Sequence, residues 1–522
     1  MRREEASFLI LSFHYGGGLR LYYPDLESVK ELARNYNIIP VSCEVYADME
    51  TPISVFRRFE KSDFCFLLES VEGGEKWGRF SFIGRNPFLT LKGSGRRTEL
   101  TYRGGRREVA GSNPFEAMKE LMSRYKGAPV KNLPRFNGGA VGFFGYDIAR
   151  YFERLPDIPY DDLEIPEIHF MFADEVIAFD HFRHKLHIIV NLHADGGSIE
   201  RGYNTVISRI NEIREELREA GRILTDGVMP ASAEVMPESV LSGGGRRIDS
   251  NVTREQFCEN VNKAKEYIKN GDIFQVVLSQ RLRIRTSCSP LNVYRALRTI
   301  NPGPYMYYLK FDGYTLAGSS PEMLVRVDGR RVETCPIAGT RRRGRTEAED
   351  ELLERELLSD EKERAEHIML VDLGRNDIGK ISDFGTVKVD SLMHIERFSH
   401  VMHIVSNVSG TLRDGVTSFD ALSAVLPAGT LSGAPKIRAM EIIDELETAK
   451  RCQYGGAVGY LSFDGNLDSC ITIRTVLFKD GYAYVQAGGG IVADSKPELE
   501  YEESMNKAMA LIKAVEEGEK IR

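Results

Sequence analysis

Residues 454–493 read YGGAVGYLSFDGNLDSCITIRTVLFKDGYAYVQAGGGIVA, and the hairpins written into them decide the fold class. Two Asp-Gly pairs, Asp464-Gly465 and Asp480-Gly481, each sit between β-branched and aromatic residues. Aspartate and glycine tolerate the positive φ that tight two-residue hairpin turns require. With Asp480-Gly481 as a turn, Lys479 faces Tyr482, and Arg474 falls opposite Ala487 beside Gly488, Gly489 and Gly490. With Asp464-Gly465 as a turn, Phe463 faces Asn466, and Arg474 falls opposite Gly455 beside Tyr454. A slip of one residue would send every side chain to the other face. On this folding Arg474 lies on a central strand between an aromatic hydroxyl and a glycine run. A guanidinium fork matches a carboxylate, and glycines let backbone N–H groups approach an anion. The plainer alternative is an arginine paired with a structural aspartate next to a bulge.

The same signal recurs at Asp312-Gly313 and Asp328-Gly329. With Asp328-Gly329 as the turn, Val327 faces Arg330 and Glu322 faces Cys335, next to the loop at 336–340. A carboxyl at a strand end among apolar neighbours suits a general acid with a raised pKa. It would equally suit a surface glutamate paired with Arg341, Arg342 or Arg343. Helical patterns interrupt the strands at 253–270, 348–373, 418–426, 436–446 and 497–517. Thr253 with Gln256, and Ser495 with Glu498, have capping-box spacing. Antiparallel hairpins mixed with helices in this order mean an α+β fold rather than alternating βαβ units.

Working outward, 138–143 (GGAVGF) echoes 455–460 (GGAVGY). Chance and an ancient duplication giving two similar sheets both remain open. The spacing of Gly139, Gly142 and Gly145 lacks the strand–loop–helix context of a dinucleotide site. A Pro/Gly/Ser-rich break divides the chain into 23–222 and 251–522, with a linker over 223–250. Residues 1–22 are expected to be an extension. At 522 residues the chain exceeds the size at which one core keeps growing. A net charge of −8 argues against a nucleic-acid partner. No apolar run approaches the ~20 residues of a membrane span. The apolar run at 8–13 is shorter than a signal-peptide core. Seven scattered cysteines without CxxC spacing fit a reducing cytoplasm.

Two helix-borne acids, Glu366 and Glu503, could share Mg²⁺ with a substrate carboxylate and waters. Both could instead be surface glutamates, Glu503 pairing with Lys507 at i,i+4. His403 lies on an alternating strand, where a lone histidine is more often a hydrogen-bonded core residue.

Taken together, six segments resemble the chorismate-utilising enzymes, and within them the large subunits of anthranilate synthases. They are CPIAGTR (335–341), EHIMLVDLGRND (366–377), GTLSGAPK (429–436), YGGAVGY (454–460), DSCITIR (468–474) and QAGGGIV (486–492). The resemblance spans about 67–507. It implies two packed, largely antiparallel sheets flanked by helices. It implies chorismate held by Gly339, Thr340, Thr430, Tyr454, Arg474, Gly488, Gly489 and Gly490, and Mg²⁺ between Glu366 and Glu503. It implies Glu322 as the acid for the departing C4 hydroxyl and His403 in the later loss of pyruvate. Gln275 is counted with the catalytic residues. It stands where isochorismate and salicylate synthases carry a water-activating lysine, and an amide is no base at neutral pH. Ala338 stands where aminodeoxychorismate synthases usually carry a nucleophilic lysine.

The same resemblance places an inhibitory tryptophan pocket at Leu68, Glu69, Ser70, Pro304, Tyr305 and Met306. Gly303 there departs from the expected serine. Trp77, the single tryptophan, is compatible with a pathway that runs when tryptophan is scarce. Ammonia is expected from a separate glutamine amidotransferase subunit in a heterotetramer. The competing readings are an aminodeoxyisochorismate or aminodeoxychorismate synthase, and a non-catalytic sensor of tryptophan or chorismate.

Overall fold

A computed structural model describes residues 13–14, 19–70, 78–111, 113–225, 247–398 and 401–521. The expected extension and linker lie largely, and Trp77 wholly, outside the described residues.

Among these residues two 12-stranded sheets carry the architecture. The first runs Ile248–Ser250, Gln275–Arg285, Tyr482–Ile491, Thr475–Lys479, Tyr314–Ser320, Tyr305–Phe311, Cys65–Glu69, Phe80–Arg85, Glu175–Asp180, Lys185–His193, Ile38–Tyr46. Gly433–Ala434 adds to its second strand. The other sheet runs Ile337–Arg342, Val401–Thr411, Arg331–Thr334, Met323–Asp328, Leu467–Ile471, Ala457–Ser462, Gly139–Phe144, Ile168–Ala173, Leu89–Ser94, Arg97–Tyr102, Arg107–Ala110. Lys388–Arg397 flanks its second strand. Neighbouring strands pair antiparallel, as the hairpin signals require. Each sheet passes once from one half of the chain to the other. The seams are Tyr305–Phe311 on Cys65–Glu69 and Ala457–Ser462 on Gly139–Phe144.

The sheets face each other across Phe66, Val141, Phe143, Tyr307, Leu477 and Cys470, all buried. Each such large apolar side chain contributes about 1.5–3 kcal/mol on leaving water. Helices cover the outer faces. Ile199–Thr225, Pro290–Ile300 and Pro497–Lys520 pack on the first sheet, and Glu361–Gly379 and Ser418–Val425 on the second.

The hairpins at Asp480-Gly481 and Asp312-Gly313 turn as expected, with Lys479 facing Tyr482 and Phe311 facing Tyr314. Two registers are corrected. Leu461 faces Leu467, which makes the 464–465 loop one residue longer than expected. The Asp464 carboxylate accepts from the Asn466 N–H at 3.2 Å, and this side-chain turn draws a third residue into the loop. Asp328 faces Arg331, so Gly329 and Arg330 form the turn instead of Asp328 and Gly329. Gly329 has φ +58° and donates its N–H to Asn466 Oδ1 at 2.9 Å, a contact invisible in a local reading.

Arg474 is also corrected. The chain leaves the second sheet at Ile471 and enters the first at Thr475. Arg474 sits in that crossover with φ +51°, not on a central strand.

The echoing segments lie side by side in one sheet, Gly142 facing Gly459, instead of marking two sheets. A Cβ on Gly139 would collide with the Leu461 carbonyl and one on Gly456 with the Phe144 carbonyl. The repeat thus has a packing cause, since the two strands approach too closely for side chains there.

The helix expected over 348–373 divides at Asp360, whose carboxylate caps Glu361–Gly379 by accepting from the Lys362 and Glu363 N–H groups. The capping box at Thr253 forms. The one at Ser495 does not. Lys496 is the N-cap ahead of Pro497, and the Ser495 hydroxyl accepts from the Val492 N–H at 3.1 Å.

Candidate active site

The glycine run Gly488–Gly490 is a platform that two helices reach. Its strand pairs with Gln275–Arg285, setting Gly488 against Ser279 and Gly490 against Val277. The space a Cβ would take at Gly490 is filled by the Gln275 amide. That amide donates to Glu366 Oε1 at 3.3 Å, bringing an acid of Glu361–Gly379 over the strand. A Cβ on Gly489 would lie 3.3 Å from Glu500 Oε2 and 3.8 Å from Glu503 Oε1, both on Pro497–Lys520. Glu366, Gln275, Glu503 and the glycines are thus brought together.

Arg474 joins the same helix. Its Nη1 donates to the Lys507 carbonyl at 3.2 Å, and Lys507 Nζ reaches Glu503 Oε1 at 2.6 Å and the Gly488 carbonyl at 3.1 Å. The i,i+4 pair of the plainer alternative is therefore formed. Burial pulls the Arg474 pKa down, while Tyr454 and Glu503 pull it back up. Tyr454 is buried beside it, its phenol pushed up to about 12 by burial.

Two further acids, Glu363 and Glu500, stand here that no motif in the sequence marks. Each lies three residues before a predicted ligand, and that helical spacing was the available signal. Burial, with Glu366 alongside, raises Glu363, and burial, with Glu503 alongside, raises Glu500. Such mutual repulsion marks a surplus of carboxylate. Oxygen-only donors on two facing helices fit a hard divalent cation that keeps some of its waters. Among the described residues no group of three or more His, Cys, Asp or Glu forms a cage by itself.

Glu322 immediately precedes Met323–Asp328 and is buried. Thr430, in the turn Gly429–Leu431, donates its hydroxyl to Glu322 Oε1 at 3.0 Å. Glu322, Thr430, Pro336 and the apolar Leu370, Leu373 and Ile471 line a cavity of about 40 Å³. Burial lifts the Glu322 carboxyl to about 8 against the Thr430 bond, which lowers it. The expected nearness to the loop after Cys335 holds although its register was wrong.

His403 lies on Val401–Thr411 with Nδ1 3.0 Å from the Gly339 carbonyl and 3.0 Å from Thr340 Oγ1. A carbonyl only accepts, so Nδ1 carries the proton and Nε2 the lone pair. Burial lowers the His403 pKa and keeps the ring neutral, with Arg474 adding to the effect. Gly339 has φ +72°, the conformation that lets its carbonyl turn to the ring.

A separate cavity of about 100 Å³ lies between the sheets at the seam, lined by all six residues expected around tryptophan, with Arg326, Tyr460 and Asp468. Tyr305 donates to Asp468 at 3.0 Å. The Glu69 carboxylate is engaged by Tyr294 Oη at 2.6 Å and Arg298. A Cβ at Gly303 would lie 2.9 Å from Ser319 Oγ, so glycine suits that close approach. No described helix is long and apolar enough to cross a membrane.

A family described as chorismate binding enzyme matches residues 65–513. Anthranilate synthase component 1 of Acetivibrio thermocellus is 63% identical over 507 residues, covering 96% of this chain and 100% of that protein. The component 1 of Aquifex aeolicus is 48% identical over 95% of this chain and 98% of its own length. Among solved structures, anthranilate synthase component I of Streptococcus pneumoniae superposes with a TM-score of 0.72 at 40% identity, covering 84% of this chain and 95% of that one. The menaquinone-specific isochorismate synthase of Escherichia coli, at 17% identity and TM-score 0.66 over 94% of this chain and 98% of its own, shares the fold.

Proposed function

The chain belongs to the family of chorismate binding enzymes, and on that premise we propose that it is the synthase component of an anthranilate synthase, aminating chorismate to anthranilate. The observation that carries this reading is the meeting of Glu366 and Glu503, from two helices, over the glycine strand that Lys507 ties to Arg474. On this reading the platform takes a small diacid. Arg474, Tyr454 and the N–H groups of Gly488 and Gly490, which face away from the neighbouring strand while Gly489 is tied to Leu278, take one carboxylate. Glu366 and Glu503 would hold Mg²⁺, a hard cation that suits their carboxylate oxygens. Bound there, the ion would draw charge from the conjugated ring as the C4 hydroxyl departs.

Glu322, kept protonated past neutrality, gives its proton to the C4 hydroxyl, which leaves as water while ammonia adds at C2. Its proximity to Thr430 keeps the acid aimed. His403 Nε2 takes the proton released as pyruvate is eliminated and the ring becomes aromatic. One chorismate and one ammonia thus give anthranilate, pyruvate and water. Gln275, bonded to Glu366 and without a basic nitrogen, disfavours attack by water. Ammonia comes from a glutamine amidotransferase partner, in keeping with the component naming of the relatives.

The cavity at the seam suits an amphipathic amino acid such as tryptophan. It borders Asp468 on the strand Leu467–Ile471, whose far end donates Ile471 N–H to the Glu322 carbonyl and leads to Arg474. A ligand that alters the sheet spacing there would bias both ends of the active site. The test is purified protein with chorismate, Mg²⁺ and ammonium, followed by anthranilate fluorescence with and without tryptophan. Anthranilate formed only with Mg²⁺ supports the reading. An amino-diene product without fluorescence makes the chain an aminodeoxyisochorismate synthase, and no turnover at all leaves only a sensor.

A further inference from the structure

Arg451 is among the largest fully buried side chains of the protein, and none of the roles assigned above uses it. Its Nε and Nη2 donate to Glu447 at 2.8 and 2.6 Å, Nη1 to the Leu431 carbonyl at 2.6 Å, and Nη2 to the Val277 carbonyl at 2.7 Å. The guanidinium carbon also lies 4.7 Å from the centroid of the Tyr146 ring and 5.7 Å from that of Tyr454. Glu447 in turn accepts from the Ser279 N–H at 2.8 Å and the Ser279 hydroxyl at 2.9 Å. Gln486 Nε2 donates to that hydroxyl at 2.9 Å. The network thus ends on three parts of the site. Leu431 follows Thr430, the donor to Glu322. Tyr454 flanks Arg474. Val277 and Ser279 face Gly490 and Gly488.

We propose that the buried Arg451–Glu447 pair is a positioning element that holds the Thr430 turn, the Tyr454 ring and the glycine strand in mutual register. A buried ion pair adds little net stability over an apolar filling of the same shape. What this pair adds is geometry, since only a planar fork reaches a carboxylate and two carbonyls from separate elements at once. A lysine ammonium keeps the charge beside Glu447 but cannot span both carbonyls.

The proposal rests on the amination reading, which anthranilate formation by the unsubstituted chain tests separately. Its own test is the pH dependence of kcat/KM at constant free ammonia. The groups facing Glu322 are Thr430, the Cys335 thiol, itself driven up by burial, and, across the cavity, Asp377, which Lys436 and Lys380 hold. In Arg451→Lys the Thr430 turn loosens, Glu322 loses its donor, and the alkaline limb moves to higher pH. Thr430→Val moves it as far, and the double variant moves it no farther, because both act through one bond. Ser279→Ala cuts the other arm. Its KM for chorismate rises about 10-fold or more, the size of losing buried hydrogen bonds to a charged group, with the limb unmoved. Circular dichroism and melting temperature report folding alongside. A fall in rate at every pH with the limb in place, or limb shifts that add in the double variant, would overturn the proposal. Should Arg451→Lys fail to fold, Ser279→Ala with unchanged KM overturns it as well.

Discussion

Glu322→Gln separates the acid's chemistry from its cost to the fold. Burial penalises the charge of the Glu322 carboxyl and pushes its pKa from the ordinary 4.5 up to about 8. At 1.36 kcal/mol for each tenfold change in a proton equilibrium, ionising it inside the fold costs roughly 5 kcal/mol. The unfolded carboxyl loses its proton near pH 4.5 and the folded one only near 8. The associated stability is therefore fully present below about 4.5, falls as pH rises, and is gone above about 8. A glutamine side chain keeps an oxygen for the Thr430 hydroxyl and never titrates. Measured by urea unfolding between pH 4.5 and 9, the variant's stability should rise relative to the parent across that window, then level off. The gain should total roughly 5 kcal/mol. Ammonium-dependent kcat should fall by about 10²–10⁴-fold, the usual contribution of a positioned acid. A stability difference that stays flat with pH would refute the buried neutral acid, and retained kcat would remove Glu322 from the chemistry.

Glu366→Gln and Glu503→Gln should each raise the Mg²⁺ concentration needed for half-maximal rate roughly 10–100-fold, while chelation abolishes anthranilate formation in the parent. Arg474→Lys should raise KM for chorismate about 10–100-fold, since an ammonium cannot make the planar fork. Tryptophan at 100 times its Kd should stabilise the parent by about 2.7 kcal/mol in a thermal melt. Ser70→Phe, which fills the cavity at the seam, should lose that gain.

The sequence carried more of the architecture than of its geometry. Asp480-Gly481 and Asp312-Gly313 specify their turns locally, and their registers could be written down directly. Asp464-Gly465 misled because Asn466 answers the Asp464 side chain, and Asp328-Gly329 because Asn466 of a neighbouring hairpin captures the Gly329 N–H. Thr472 to Arg474 continues an alternating pattern, so a change of sheet at Arg474 leaves no local trace. The acids were visible as types but not as a set. Glu363 and Glu500 become members only when two helices far apart in sequence face one strand. Arg451 could not be singled out at all, because its meaning lies in two carbonyls, Leu431 and Val277, that bear no side-chain signature.

The proposed chemistry requires that one divalent ion and one diacid share the platform between Glu366, Glu503 and Arg474. Calorimetric titration of Mg²⁺ with and without saturating chorismate measures that sharing. Chorismate should tighten Mg²⁺ binding by about 5- to 150-fold, Mg²⁺ should tighten chorismate by the same factor, and Glu503→Gln should erase the coupling. Equal Mg²⁺ affinity in the two titrations would mean that the ion and the substrate do not meet.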